Sequence, residues 1–455
     1  MRKSSADLTQ GPLLSGIIAY TIPVILTGVL QLLFNAADLV VVGRFCGSIS
    51  VAAVGACGAV INLLVNLFIG LSVGAGVTVA HGIGANKDED VRRTVHTAIP
   101  LAVICGAVLS VVGIVGAGWI LRLMGTPDNV IGLSSTYMRI YFSGIIASTL
   151  YNFGGAILRA AGDTKSPLYF LTAAGILNVL LNLFFVIVLK MDVVGVALAT
   201  ALSQVLSAAL VIRALMKRDD ACRLKLKEIH LYGRQLIKII RIGFPAGIQG
   251  SLFSISNVII QSSVNSFGSV VMSGNAAAQN IEGFVYISMN SVSQTALNYA
   301  GQNHGAGNFE RIRKIMLACL GLAFGAGISL GGLSVIFSRP LLSIYITDSD
   351  EAIKYGVIRL MYICLPYFLC GIMDVATGML RGIGSSIAPM FITVAGVCGF
   401  RIVWIYTVFR MPQYHSLEIL YSSYMISWAV TFLIEAVVFH IMLKKMSSTG
   451  KAKIT

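Results

Sequence analysis

The feature that most constrains this chain is a succession of long apolar runs, each parted from the next by a short polar or charged segment. Twelve fall near 14–42, 51–80, 94–118, 136–158, 168–189, 193–212, 236–266, 276–300, 315–337, 352–380, 388–408 and 418–443. Each is close to or beyond the roughly 20 residues that an α-helix needs to cross a hydrocarbon core. The runs are continuous rather than alternating, which excludes a membrane β-barrel. Of the 455 residues, 56% are hydrophobic and only 11% charged, against roughly 25% charged in soluble domains. A soluble enzyme, a disordered chain and a disulfide scaffold are excluded. The eight cysteines form no CxxC pair and no metal-ligand spacing. The sequence predicts an all-α polytopic membrane protein with twelve transmembrane helices.

The longest charged break is 213–235, with Lys217, Arg218, Asp219, Asp220, Arg223, Lys225, Lys227, Glu228 and Arg234. It divides the chain into an N-terminal six-helix lobe (1–212), a basic cytoplasmic linker (213–235) and a C-terminal six-helix lobe with a short basic tail (236–455). With the N-terminus inside, segments 1–12, 81–93, 159–167, 213–241, 301–314, 381–388 and 444–455 hold 24 Lys and Arg, and the outer segments hold 5. That excess predicts both termini in the cytoplasm of a cell membrane. The net charge of +14 then meets anionic lipid headgroups rather than nucleic acid.

The halves repeat at a fixed offset. Pro23 pairs with Pro245 and Asn35 with Asn257, both 222 apart, and Arg92 pairs with Arg313 at 221. Leu158-Arg159-Ala160-Ala161-Gly162 pairs with Leu380-Arg381-Gly382-Ile383-Gly384, and Pro167 with Pro389, at 222. Six spans per repeat keep the two lobes in the same orientation, a parallel-repeat plan with a substrate path between the lobes. Gly321/Gly325 and Gly327/Gly331 are spaced for close helix packing.

Four carboxylates lie inside spans: Asp38, Glu282, Asp374 and Glu435. Each costs roughly 2.5–3.5 kcal/mol or more in hydrocarbon and marks a functional site by default. Asp38 is the only acid in a span of the first half, where the only basic residue is Arg139. Such an acid needs a proton or a cation. Asn178 and Asn182 share a helix face at i, i+4, and Thr200 follows on the neighbouring span. These hard oxygen donors suit Na⁺; the other reading is that the Asn pair bonds helices together. Asp374 has Asn152 as its repeat mate, and Glu282 lies in a polar stretch with Gln279, Asn280, Asn290, Gln294 and Asn298. These residues are expected to line a wet substrate cleft, with Asn35, Asn257 and Gln261 on the first and seventh spans. Phe284, Tyr286 and Met289 offer soft surface for an aromatic cation. For Glu282 and Glu435 a helix–helix bond or a pairing with Arg401 stands as the alternative. The spans hold no nucleophile–base set, so no enzyme activity and no cofactor are expected.

Asp38-Leu-Val-Val-Val-Gly43-Arg44, Gly70-Leu-Ser-Val-Gly74 continuing to Gly84-Ala85, and Leu158-Arg159-Ala-Ala-Gly162-Asp163-Thr164 resemble the multidrug and toxic compound extrusion (MATE) family over nearly the whole chain. The resemblance implies two lobes around a V-shaped cleft, with Na⁺ or H⁺ entry driving drug export. It implies that Asp38, Asn178, Asn182, Thr200 and Tyr137 bind the cation. In some members the position of Asn182 is Asp. Relatives often carry a tenth-span acid where this chain has Cys370, with Asp374 one turn later, and some carry a seventh-span acid in the stretch of Asn257 and Gln261. The expected function is a cation-coupled antiporter, a monomer, exporting amphipathic, mainly cationic drugs. The alternative is a flippase for a lipid-linked saccharide, although such proteins usually have more spans and a more basic cavity.

Overall fold

The computed structural model describes residues 7–347 and 349–451. The ends of the basic inner segments, at 1–6 and 452–455, lie outside the described residues. The described residues form helices and connecting turns with no strand. The first half contains α1 (Leu13–Phe45), α2 (Ser48–Gly84), α3 (Asp88–Leu123), α4 (Asp128–Ser143), α5 (Ile145–Ala160), α6 (Lys165–Leu183) and α7 (Asp192–Met216). The second contains α8 (Gly233–Asn265), α9 (Ser269–Gly305), α10 (Phe309–Ile336), α11 (Ser338–Ser343), α12 (Asp350–Arg359), α13 (Tyr367–Gly382), α14 (Ile387–Thr393), α15 (Phe400–Tyr406) and α16 (Leu417–Lys451).

Nine helices among the described residues are long and apolar enough to cross a membrane, or ten when the pair Asp350–Cys364 and Tyr367–Gly382, bent by 41°, counts as one span. The two remaining expected spans are helical too. The run 136–158 falls on α4 and α5, which are parted at Gly144. A side chain there would meet Ala201 Cβ at 2.7 Å, so the break lets α7 come close. The run 276–300 falls on α9, whose Asn and Gln make it too polar to count by composition alone. Helix ends reach past the apolar runs into charged turns. α3 begins with Asp88, Glu89 and Asp90, where acids favour a helix N-terminus.

Among the described residues three spans contain a π-helical segment: Phe184–Val188, Leu360–Cys364 and Val394–Gly399. In each, a backbone N–H reaches five residues back, as Leu189 to Phe184, Leu365 to Leu360 and Phe400 to Ala395. Such bulges widen a helix and concentrate at functional sites.

The chain forms two compact units. Unit 1 contains Ile22–Ser251, and unit 2 contains Leu8–Thr21 and the residues from Leu252 onward. Both long first helices of the repeats are therefore divided in membership, whereas the sequence reading set lobe boundaries at 212 and 236. The start of α8 belongs to unit 1 because its glycines meet those of α2 backbone to backbone. A Cβ on Gly70 would lie 2.2 Å from Gly247 N, and one on Gly74 2.3 Å from Ile239 O. Residues 8–21 belong to unit 2 through Gln302 and Asn303, which bind the Leu8 backbone at 2.9 and 3.1 Å. Thr21 and Thr295 share a hydrogen bond at 2.9 Å, and Tyr20 meets Tyr299 edge-on at 5.6 Å.

The core of unit 1 is built from Val79, Val95, Phe153, Ile157 and Leu215, with Cys222 and Leu224 of the linker added to it. The linker is pinned along α3: Lys225 N–H donates to His96 Nε2 at 3.0 Å, Tyr232 N–H to Thr97 Oγ1 at 3.1 Å, and Gln235 Nε2 to Asp90 Oδ1 at 3.0 Å. Arg218 pairs with Asp220. Glu228, hydrogen-bonded by Lys225, is held below the usual carboxylate range. In unit 2, Gly327 and Gly331 pack against the backbone of Phe368 and Cys364 at 2.6 and 2.1 Å from a hypothetical Cβ. Gly321 and Gly325, expected to pack likewise, face open space within 4 Å.

Candidate cation site and polar networks of the spans

In unit 1, Phe34 of α1 lies against Gly175 of α6 so closely that a Cβ on the glycine would stand 1.8 Å from the ring. Asp38 is one turn beyond Phe34. Asn178 and Asn182 lie three and seven residues beyond Gly175, on the same helix face. This contact sets the register that brings the acid to the amides. Asn182 Nδ2 donates to Asp38 Oδ1 at 2.5 Å and to Asn178 Oδ1 at 3.2 Å. Asn178 Nδ2 donates to Thr200 Oγ1 of α7 at 3.4 Å, and Thr200 also lies within hydrogen-bonding reach of Asp38. Asn178 and Asn182 are buried and Asp38 is half-buried. The helix turns π directly after Leu183, one residue beyond Asn182.

Tyr137 is buried, stacked on Tyr141 at 6.3 Å, in the apolar cluster that also holds Val41, Val42 and Cys57. It stands beside the acid's helix rather than in the chain of amides. Asn182 Oδ1 is buried with no hydrogen-bond partner. A carboxylate and an orphaned carbonyl oxygen on one residue pair, with a second amide and a hydroxyl behind them, form an oxygen-donor set that fits a monovalent cation. Asp38 alone can equally carry a proton.

The other sequence candidates are dispersed. Asn35 and Asn257 are exposed. Asn152 Nδ2 donates to Ser148 O at 2.9 Å within its own helix. Phe284 is partly exposed, but Met289 is fully buried, its sulfur 2.5 Å from where a Cβ on Gly371 would stand. Met289 is therefore core rather than cleft lining, because the glycine opposite leaves room for the thioether to fill.

Glu282 is paired. Arg359, the last residue of α12, donates to Glu282 Oε2 through Nη2 at 2.6 Å and Nε at 3.1 Å, and to Asn275 Oδ1 through Nη1 at 2.7 Å. Tyr367 donates to Glu282 Oε1 at 3.4 Å, and Tyr421 to Asn275 Oδ1 at 2.9 Å. Asn275 donates on to Gln261 at 3.0 Å. The partner is Arg359, not Arg401. Arg401 lies over the Tyr424 ring at 3.9 Å with Trp428 at 5.5 Å, and its Nε donates to Ser427 at 3.0 Å. Glu435 is bound by Thr377 and Thr393. Asp374 accepts from Ser293 Oγ through its backbone carbonyl at 2.6 Å, with Arg381 and Glu435 in electrostatic reach. Sequence reasoning missed Gly175, Thr377 and Thr393. A small or hydroxylated residue in an apolar span carries no signal until its neighbour is known.

These elements define a class: a multi-pass helical membrane protein built of two repeats, with a buried oxygen-donor cluster around one unpaired acid. The MatE family model matches residues 23–184 and again 245–407, so the two matches start 222 residues apart, at the offset read from the sequence. The chain belongs to the MatE family of multidrug and toxic compound extrusion transporters. It is 28% identical over 426 residues to the probable multidrug resistance protein YoeA of Bacillus subtilis, covering 91% of each chain. It is 27% identical over 393 residues to the probable multidrug resistance protein YpnP of the same organism, covering 85% of this chain and 86% of that one. The fold is that of a solved outward-facing multidrug resistance MATE family transporter, with TM-score 0.91, 21% identity and coverage of 98% and 100%.

Proposed function

We propose that this protein is a cation-coupled antiporter that exports amphipathic, mainly cationic compounds, with inward movement of Na⁺ or H⁺ through the Asp38 site as the driving force. The observation that carries this reading is the pair of oxygens at the centre of unit 1. Asp38 is held by the Asn182 amide at 2.5 Å, and no Lys or Arg is among the groups acting on it. Asn182 Oδ1, buried beside it, has no donor. A positive species bound there satisfies both. Release and rebinding of that species changes the charge of the site by one, which gives a bistable helix pair a reason to move. The names of the two B. subtilis relatives support drug export. A site that is anionic when empty favours exchange against organic cations.

The same reading puts the protein in the cytoplasmic membrane with both termini inside, supported by the 24 to 5 distribution of basic residues. It treats the protein as a monomer with lipid headgroups along its basic rim. The test is purified protein in liposomes with an imposed Na⁺ or pH gradient and ethidium as the reporter. Drug accumulation driven by either gradient supports the reading. Accumulation that proceeds equally in the Asp38→Asn variant overturns it.

A further inference from the structure

We propose that Glu435, held by the hydroxyls of Thr377 and Thr393, is a proton-exchange site of unit 2, separate from the Asp38 site. Glu435 sits in the middle of α16 with no exposed surface. Thr377 Oγ1 of α13 donates to both carboxylate oxygens at 2.9 and 3.0 Å, and Thr393 Oγ1 of α14 to Oε1 at 2.9 Å. Thr431 lies one turn earlier on α16, on the same face as Glu435. Its hydroxyl is buried with no partner. It makes no hydrogen bond with the carboxylate and lies against Gly396 of the neighbouring helix.

The backbone is shaped to admit these groups. Thr393 is the last residue before the π segment Val394–Gly399. A Cβ on Gly396 within that segment would stand 2.4 Å from Thr431 Oγ1, so only glycine lets this helix approach the hydroxyl. A static helix–helix bond needs one donor and one acceptor. This site gathers a carboxyl group and two hydroxyl donors from three helices.

Charge decides what the site takes. Of the charged groups on elements packed against α16, Arg359 is engaged by Glu282 and Arg401 by the Tyr424 and Trp428 rings. Asp374 and Arg381 of α13 are the charges that act on Glu435. Glu435 and Asp374 share the Arg381 guanidinium, with Arg401 held on its rings elsewhere, so with both acids ionised one carboxylate lacks a cation beside it in an apolar interior, where that is costly. A metal cation at Glu435 would be repelled by Arg381. A proton neutralises that carboxylate without new ligands, moving onto a carboxylate oxygen on loading and off it on release.

The site is tested on protein purified in detergent, without transport, so its outcome is independent of the Asp38 reading. Infrared difference spectra between acidic and alkaline buffer are expected to show a protonated-carboxyl band that disappears in Glu435→Gln and persists in Asp38→Asn. Thr393→Val, which keeps the carboxyl and removes one donor, is expected to shift that band, and it serves where Glu435→Gln fails to fold. A band unchanged in both Glu435→Gln and Thr393→Val overturns the proposal. So does loss, on adding Na⁺ at constant pH, of the band that persists in Asp38→Asn, which would make this a sodium site.

Discussion

Phe34 and Gly175 are in such close contact that a single methyl group on the glycine would overlap the ring, 1.8 Å from its nearest carbon. The contact lies one turn of α1 and two turns of α6 before the place where Asp38 meets Asn182, so the glycine sets the site's register without belonging to it. Gly175→Ala is expected to cost about 1–3 kcal/mol from overpacking and to push α1 away from α6. Gradient-driven efflux should fall at least tenfold while expression persists. Phe34→Leu in the same chain should recover part of the loss by making room. Thermal unfolding and liposome efflux on the two variants check this, and a Gly175→Ala protein with normal efflux would show that the register is held elsewhere.

Asp38→Asn keeps the side-chain volume and removes the charge. An amide is cheaper to bury than a carboxylate, so the variant is expected to fold and to lose coupled efflux completely. Asn182→Asp places a second acid beside the first and should be tolerated, with a changed Na⁺ or pH dependence. Asn182→Leu removes both the donor to Asp38 and the orphaned oxygen, and should weaken gradient stimulation more than drug binding. Efflux titrated against Na⁺ at fixed pH, beside a drug-binding measurement, separates the three. Equal losses of binding and efflux in Asn182→Leu would point to general damage to the fold.

Much of this was legible in the sequence because it follows from local pattern. Continuous apolar runs can only be satisfied by helices in lipid, and a fixed offset of 222 residues between Pro23 and Pro245 reports duplication. Asp38 stands out as the only acid in a span of the first half, where Arg139 is the only base. Pairings were not legible. Arg359 and Arg401 both lie in apolar runs, and only packing decides that the first takes Glu282 and the second lies on Tyr424. The π segments were hidden because one inserted residue leaves an apolar run looking unchanged. Yet each follows within two residues of a polar group that anchors a network: Asn182, Arg359 and Thr393.

Arg359 and Glu282 form a pair with side chains only 4% and 15% exposed. Breaking such a pair strands a buried charge and typically costs about 3–5 kcal/mol. Arg359→Gln is therefore expected to lower the unfolding temperature sharply. The double variant Glu282→Gln with Arg359→Met removes both charges and should recover most of the stability. A double variant no more stable than Arg359→Gln would mean that the hydrogen bonds to Asn275 and Tyr367, not the charge balance, hold this region.

The linker reads in the sequence as a solvated charged connector, yet it runs pinned to α3 through backbone N–H groups that donate to His96 and Thr97. Its tryptic sites at Arg223, Lys225 and Lys227 have exposed side chains, but a protease needs several residues of free backbone, so cleavage requires local opening. The combined change His96→Phe with Thr97→Val removes both acceptors and leaves the trypsin sites intact. Cleavage in 213–235 is expected to quicken several-fold, with cleavage at Lys314, in unit 2, unchanged. The digestion should be run on inside-out vesicles, where a cytoplasmic linker is reachable, and on intact cells, where it is not. Equal cleavage in wild type and variant would mean that the linker opens independently of these bonds, and cleavage in intact cells would reverse the assigned topology.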